Sequence, residues 1–94
     1  IIGVTFRPIS NADRRRMRIP ASVKGVVVDE IESRSDALGK LTEGSVVTEV
    51  NFQSVEAPEQ AIAAAEAAAK EGKPVLIQVW GPETSEFVSV RTRR

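Results

Sequence analysis

From Glu43 to Val55 the chain reads Glu-Gly-Ser-Val-Val-Thr-Glu-Val-Asn-Phe-Gln-Ser-Val: a turn, a buried strand, a tight reversal and a short return strand. A long alanine-rich segment follows at once. β-Branched residues favour a strand over about Ser45 to Val50. Asn51 and Phe52 then fall on the two positions that a type I′ turn holds at positive φ, where Phe carries a steric cost that Gly would not. The turn is therefore either longer than two residues or strained. Pro58 suits a first helical turn, and Glu59 suits the positive end of the helix dipole. Strong helix formers continue to Glu71, Gly72 supplies the residue after the cap, and Pro74 blocks continuation. A helix over 57–71 is the firmest element in the chain.

The flanking sequence alternates strand and loop signals. Ile2 to Phe6 suits a strand that Pro8 closes. Ser10 and Asp13 are spaced as a capping box, which starts a short helix over 11–17, and Pro20 ends that region. Gly25 to Ile31 is almost continuously apolar at its start, as a central strand is. Residues 33–41 read as a loop with one helical turn that plugs the core with Leu38 and Leu41. Pro74 to Trp80 and Glu86 to Thr92 alternate well enough to pair as a hairpin. No internal repeat or linker interrupts the chain.

Ninety-four residues, 41% of them hydrophobic, have room for one core. The opening Ile1-Ile2-Gly3-Val4 has no initiator Met and no basic leader, so the chain reads as one domain, residues 1–94, excised from a longer protein. No apolar run approaches the ~20 residues that span a bilayer, so no direct membrane insertion is expected. Net charge is zero but unevenly spread: residues 1–24 hold six Lys/Arg against one Asp, and residues 25–90 hold four against twelve Asp/Glu. That is a dipolar surface, and no nucleic-acid partner is expected from it.

With no His and no Cys, a Ser-His-Asp triad and a cysteine nucleophile are both excluded within these residues. No catalytic residue, metal site or cofactor is expected, and binding is favoured over catalysis. Asp29, Glu30 and Glu32 fall on a strand that splits them between faces, which argues against a cation site. Arg14, Arg15, Arg16 and Arg18, with Arg7 nearby, read as a solvated face that can also dock against another domain. Trp80, beside Gly81-Pro82, reads as a cap over the end of the sheet.

The order strand, short capped helix, strand, plug, strand, hairpin, long helix, strand, strand resembles a PDZ domain of bacterial HtrA or Do-like (DegP/DegQ-type) serine proteases. The segment Glu43 to Val55 is similar to that family's turn, strand and reversal leading into the long helix. Arg7-Pro8-Ile9-Ser10 through Ile19-Pro20, followed by Lys24-Gly25-Val26-Val27-Val28, is similar to another of its passages. Because the chain ends soon after the last strand, it looks most like the second, C-terminal PDZ domain of such a protease. Three departures stand out: Ser45 replaces a preferred Asp, Phe52 replaces a preferred Gly, and Ser35 to Leu41 replaces the usual plug loop.

The resemblance implies an α+β, PDZ-like fold: a five- to six-stranded, partly open antiparallel barrel or sandwich flanked by one long and one short helix. It implies β-augmentation, in which an extended peptide adds to a strand edge and its carboxylate sits in a nest of amides. Ile1, Ile2, Gly3, Val4, Thr5 and Phe6 would form the strand wall, with Gly3 allowing close backbone approach. The helix wall would hold Pro58, Ala61, Ile62, Ala65 and Ala69, and either Pro58 or Ala61 takes the helix-start position. Pro58, Ile62, Ala65 and Ala69 form one stripe, while Ala57, Ala61, Ala64 and Ala68 form the neighbouring stripe that meets the sheet. An apolar peptide end is the ligand implied, with no preference for Ser or Thr of the kind that a helix-start His confers.

Partners implied are peptides or unfolded protein segments, together with the protease and other PDZ domains of a homo-oligomeric periplasmic parent. Two other functions fit the same residues: a PDZ module of an intramembrane metalloprotease or secretion component, and a structural assembly domain that binds no free peptide.

Overall fold

The computed structural model describes residues 2–92. Ile1 lies outside the described residues, so the place expected for it in the groove has no structural account. In chain order the elements are β1 (Val4–Pro8), α1 (Asn11–Met17), β2 (Val26–Ile31), β3 (Val46–Val50), β4 (Gln53–Ser54), α2 (Pro58–Lys70), β5 (Val75–Val79) and β6 (Glu86–Val90). The strands form one antiparallel sheet in the order β1-β2-β3-β5-β6, with β4 paired to β3. Of the five- to six-stranded, partly open antiparallel architecture with one long and one short helix that the resemblance implies, the chain forms the six-stranded version, as an open sheet.

Alternation along β2 and β3 divides the core in two. Val26, Val28 and Val47 point into the main cluster with Ala37, Leu41, Val50, Val55, Val75, Ile77, Val90 and four alanines of α2, Ala61, Ala64, Ala65 and Ala68. Val27 and Val46 point the other way and pack with Ile19, flanked by Ile9, Met17, Val23 and Trp80. Successive strand residues face opposite sides, so both faces of the central strands are covered.

Ser10 caps α1: its hydroxyl accepts from the Asp13 N–H at 3.0 Å, and the Asp13 carboxylate accepts from the Ser10 N–H at 2.9 Å. Asp13 is 3% exposed and has a second duty. Its two oxygens accept from the Arg7 guanidinium at 2.5 and 3.1 Å, which fastens α1 to β1. The hydrogen bond from Arg7, aided by those from Ser10 and opposed by burial, holds the Asp13 carboxyl well below the usual carboxylate range.

The arginines of this region are not simply a solvated face. Arg14 donates to the carbonyls of Pro20 and Val23 at 3.0 and 3.1 Å, closing the loop after α1, and Arg16 pairs with Asp13 at 3.0 Å. Arg15 and Arg18 are exposed as expected.

The plug departs from expectation in one side chain. Leu41 is 6% exposed and Ala37 is fully buried, but Leu38 is 56% exposed. Residues 35–41 form successive hydrogen-bonded turns, the widest spanning four residues from the Leu41 N–H to the Ala37 carbonyl at 2.8 Å, and no helix forms. That bond brings Ala37 and Leu41 inward together and leaves Leu38 facing out. The Asn51-Phe52 reversal has two residues and is strained, with φ of 51° and 64°.

Candidate peptide-binding groove

β1 is the end strand of the sheet: it pairs with β2 from Val4↔Ile31 to Pro8↔Val26, and its other edge has no strand partner among the described residues. Helix α2 packs against β1, β3 and β5, so it touches the strand that carries that open edge. An unpaired strand edge offers N–H and C=O groups to an incoming chain. The space between β1 and α2 is the candidate groove.

Gly3 opens it. Its φ of 71° is a conformation that L side chains adopt at a cost, and an added Cβ would lie 2.8 Å from Ser35 Cβ. The Gly3 carbonyl accepts from the Glu32 N–H at 2.8 Å. Ile2, 3% exposed, is anchored in the core, and its carbonyl accepts from the hydroxyl of buried Ser35. Ser35 Oγ in turn accepts from the Ala37 N–H at 3.0 Å. The turn that carries Ser35 is held by its neighbour: the Asp36 carboxylate accepts from the Arg91 N–H at 2.7 Å and from Lys40 Nζ at 2.8 Å. Those bonds, the backbone one first, hold the Asp36 carboxyl down at about 2.

Along β1, Val4 and Phe6 are half-buried and pack on the main core, while Thr5 is exposed. On α2, Ile62 is 45% exposed, and Pro58 and Ala69 are half-buried. Ala61 and Ala65, expected in the groove wall, are instead 0% and 4% exposed and belong to the core. The reason is angular. At 100° per residue, positions 61, 64, 65 and 68 span a single arc, which the sheet covers whole. Ala65 lies at its margin, beside the groove-facing positions 62 and 69. Of the sequence-derived residues, Gly3, Val4, Thr5, Phe6, Pro58, Ile62 and Ala69 are thus at the surface, and Ile2, Ala61 and Ala65 support them from beneath.

The start of α2 is held without a capping side chain at Ala57. Gln60 reaches back so that its Oε1 accepts from the N–H groups of Glu56 and Ala57, at 2.6 and 3.2 Å. Sequence reasoning missed this and missed Ser35; a Ser two residues before Ala37 is the local signal of a side-chain-closed turn. No group of three or more potential metal-ligating side chains occurs among the described residues, and no described helix is long and apolar enough to cross a membrane.

No protein-family model matches the sequence, and no curated protein matches it. Solved structures do. The chain is similar to the HtrA3 PDZ domain, determined bound to the phage-derived ligand FGRWV, with a TM-score of 0.67 and 20% sequence identity. The match covers 97% of this chain and 82% of that one. An open edge strand headed by a positive-φ glycine, flanked by the long helix, sits within a chain that has the PDZ fold.

Proposed function

We propose that this domain binds extended polypeptide segments, which add antiparallel to the free edge of β1 and lay an apolar side chain against Ile62 and Phe6. The observation that carries this reading is the unpaired edge of β1 facing α2, with Gly3 fixed at its head. Backbone bonds along the edge supply affinity, and the amides after Ile2 receive a terminal carboxylate. In support, the similar HtrA3 PDZ domain was determined with a peptide ligand. The domain acts by binding and leaves catalysis to other parts of its parent.

Two further elements belong to the proposal. Residues 1–94 are one module of a longer chain, and the HtrA resemblance makes a periplasmic, oligomeric, trypsin-like serine protease the best candidate for that parent. The module then recruits or senses substrate segments.

The test is an NMR titration with a peptide that ends in a free apolar residue and with its amidated form. The free form is expected to bind in the micromolar range, near −8 kcal/mol or weaker, shifting amides of residues 2–6 and 58–70, and amidation weakens it. Ile62→Lys abolishes binding while the fold stays intact, because this side chain is 45% exposed. Shifts confined elsewhere, or indifference to amidation, overturn the carboxylate-reading groove.

A further inference from the structure

A second concavity, of about 410 Å³, is lined by no residue of β1 or α2. Trp80 forms one wall, Ser22 and Lys24 come from the loop before β2, Glu49 comes from β3, and Ser54 and Glu56 come from β4 and the segment after it. The indole is fixed in place. The side chain packs on the cluster of Ile19, Val27 and Val46, and the Trp80 backbone N–H, donating to the Val46 carbonyl at 2.8 Å, anchors the residue that carries it. Its remaining surface is half-exposed toward the cleft.

Neither Glu49, Glu56 nor Lys24 has an ion-pair partner among the described residues, although Asp13, Asp29 and Asp36 all do. Two free carboxylates beside a fixed aromatic face suit a cation that is flat. A guanidinium stacks on indole and presents paired N–H donors to a carboxylate, and an ammonium does neither as well. Lys24, Ser22 and Ser54 then provide donors for the carbonyl groups that flank such a side chain in a polypeptide.

We infer that this cleft is a second binding site, which takes the arginine side chain of an extended polypeptide, stacked on Trp80 and paired with Glu49 and Glu56. It is independent of the β1 groove, so a ligand with an arginine beyond its groove-bound stretch engages both sites and gains avidity.

Trp80 is the only tryptophan of the chain and reports on the cleft by itself. The experiment titrates the 94-residue chain with Ac-Gly-Arg-Gly-NH2 and with its citrulline counterpart, which has the same shape and no charge. Tryptophan emission and amide shifts are followed together, and the amidated end keeps the probe from acting as a terminal carboxylate. Saturable changes at residues 22–24, 48–56 and 80 are expected. The arginine peptide binds about fivefold more tightly than the citrulline one, and the Glu49→Gln/Glu56→Gln double variant loses about the same factor. Because Glu49 is half-buried in β3 and Glu56 is exposed, Glu56→Gln alone serves if the double variant does not fold, with about a twofold loss expected. Equal binding of the two peptides, shifts only at residues 2–6 and 58–70, or folded variants that bind like wild type overturn the assignment.

Discussion

Asn51 and Leu76 exchange two hydrogen bonds: the Asn51 N–H donates to the Leu76 carbonyl at 2.7 Å, and the Leu76 N–H donates to Asn51 Oδ1 at 2.9 Å. The same side chain reaches α2, where Nδ2 donates to the Ala64 carbonyl at 3.2 Å. One turn residue therefore joins the β3–β4 reversal, β5 and the groove helix. Asn51→Ala leaves the Leu76 N–H without its acceptor and places Ala at a φ of 51°. A loss of about 3 kcal/mol is expected in urea unfolding, and Asn51→Asp, which keeps the acceptor, loses less.

Phe52 stands at a φ of 64° and is 73% exposed, its ring centroid 6.0 Å from that of Phe87. Comparing two truncations separates backbone strain from ring contact, since both remove the ring. Phe52→Gly should be more stable than Phe52→Ala by about 1 kcal/mol. Equal stability would show that the positive φ costs nothing here.

Asp13 has a folded-state carboxyl pKa below its unfolded value, so its contribution is complete above about pH 4 and is lost as pH falls below it. Asp36, held at about 2, acts in the same direction and the same window. The urea midpoint should be level from about pH 7 to pH 5 and fall steeply below about pH 4. Asp13→Asn should cost about 2 kcal/mol at neutral pH and flatten that acid limb, because the group whose protonation drives part of it is gone.

Gly3→Ala meets both a positive φ and Ser35 Cβ at 2.8 Å. The expected result is a loss of about 2 kcal/mol or more, with weaker peptide binding than lost stability alone explains. Chemical denaturation and the peptide titration, run on the same sample, check the two together.

Much of this was legible in the chain. The 57–71 helix, the Ser10-Asp13 capping box and the valine-rich strands are written in local chemistry, and α2, α1, β2 and β3 stand where that chemistry puts them. What was hidden depends on contacts between distant segments. Leu38 and Leu41 look alike in sequence, and only the turn from Ala37 to Leu41 decides which is buried. Ala65 reads as a groove residue on its stripe until the width of the covered arc is known. Arg14 looks like one more surface charge, yet it closes the loop at Pro20 and Val23. The Trp80 cleft gathers residues from four separated segments, which no linear motif announces.

The four buried alanines of α2, Ala61, Ala64, Ala65 and Ala68, carry one last consequence. Each presents a single methyl group to the sheet, so the helix axis rides as close to the strands as side chains allow. The gap between α2 and β1 is thus set by a shim of methyl groups that a ligand never meets. Enlarging one of them lifts that end of the helix and tilts it. A relative with Val or Leu at such a position would hold a differently shaped slot behind an unchanged lining, and its ligand preference would shift with no substitution at the surface.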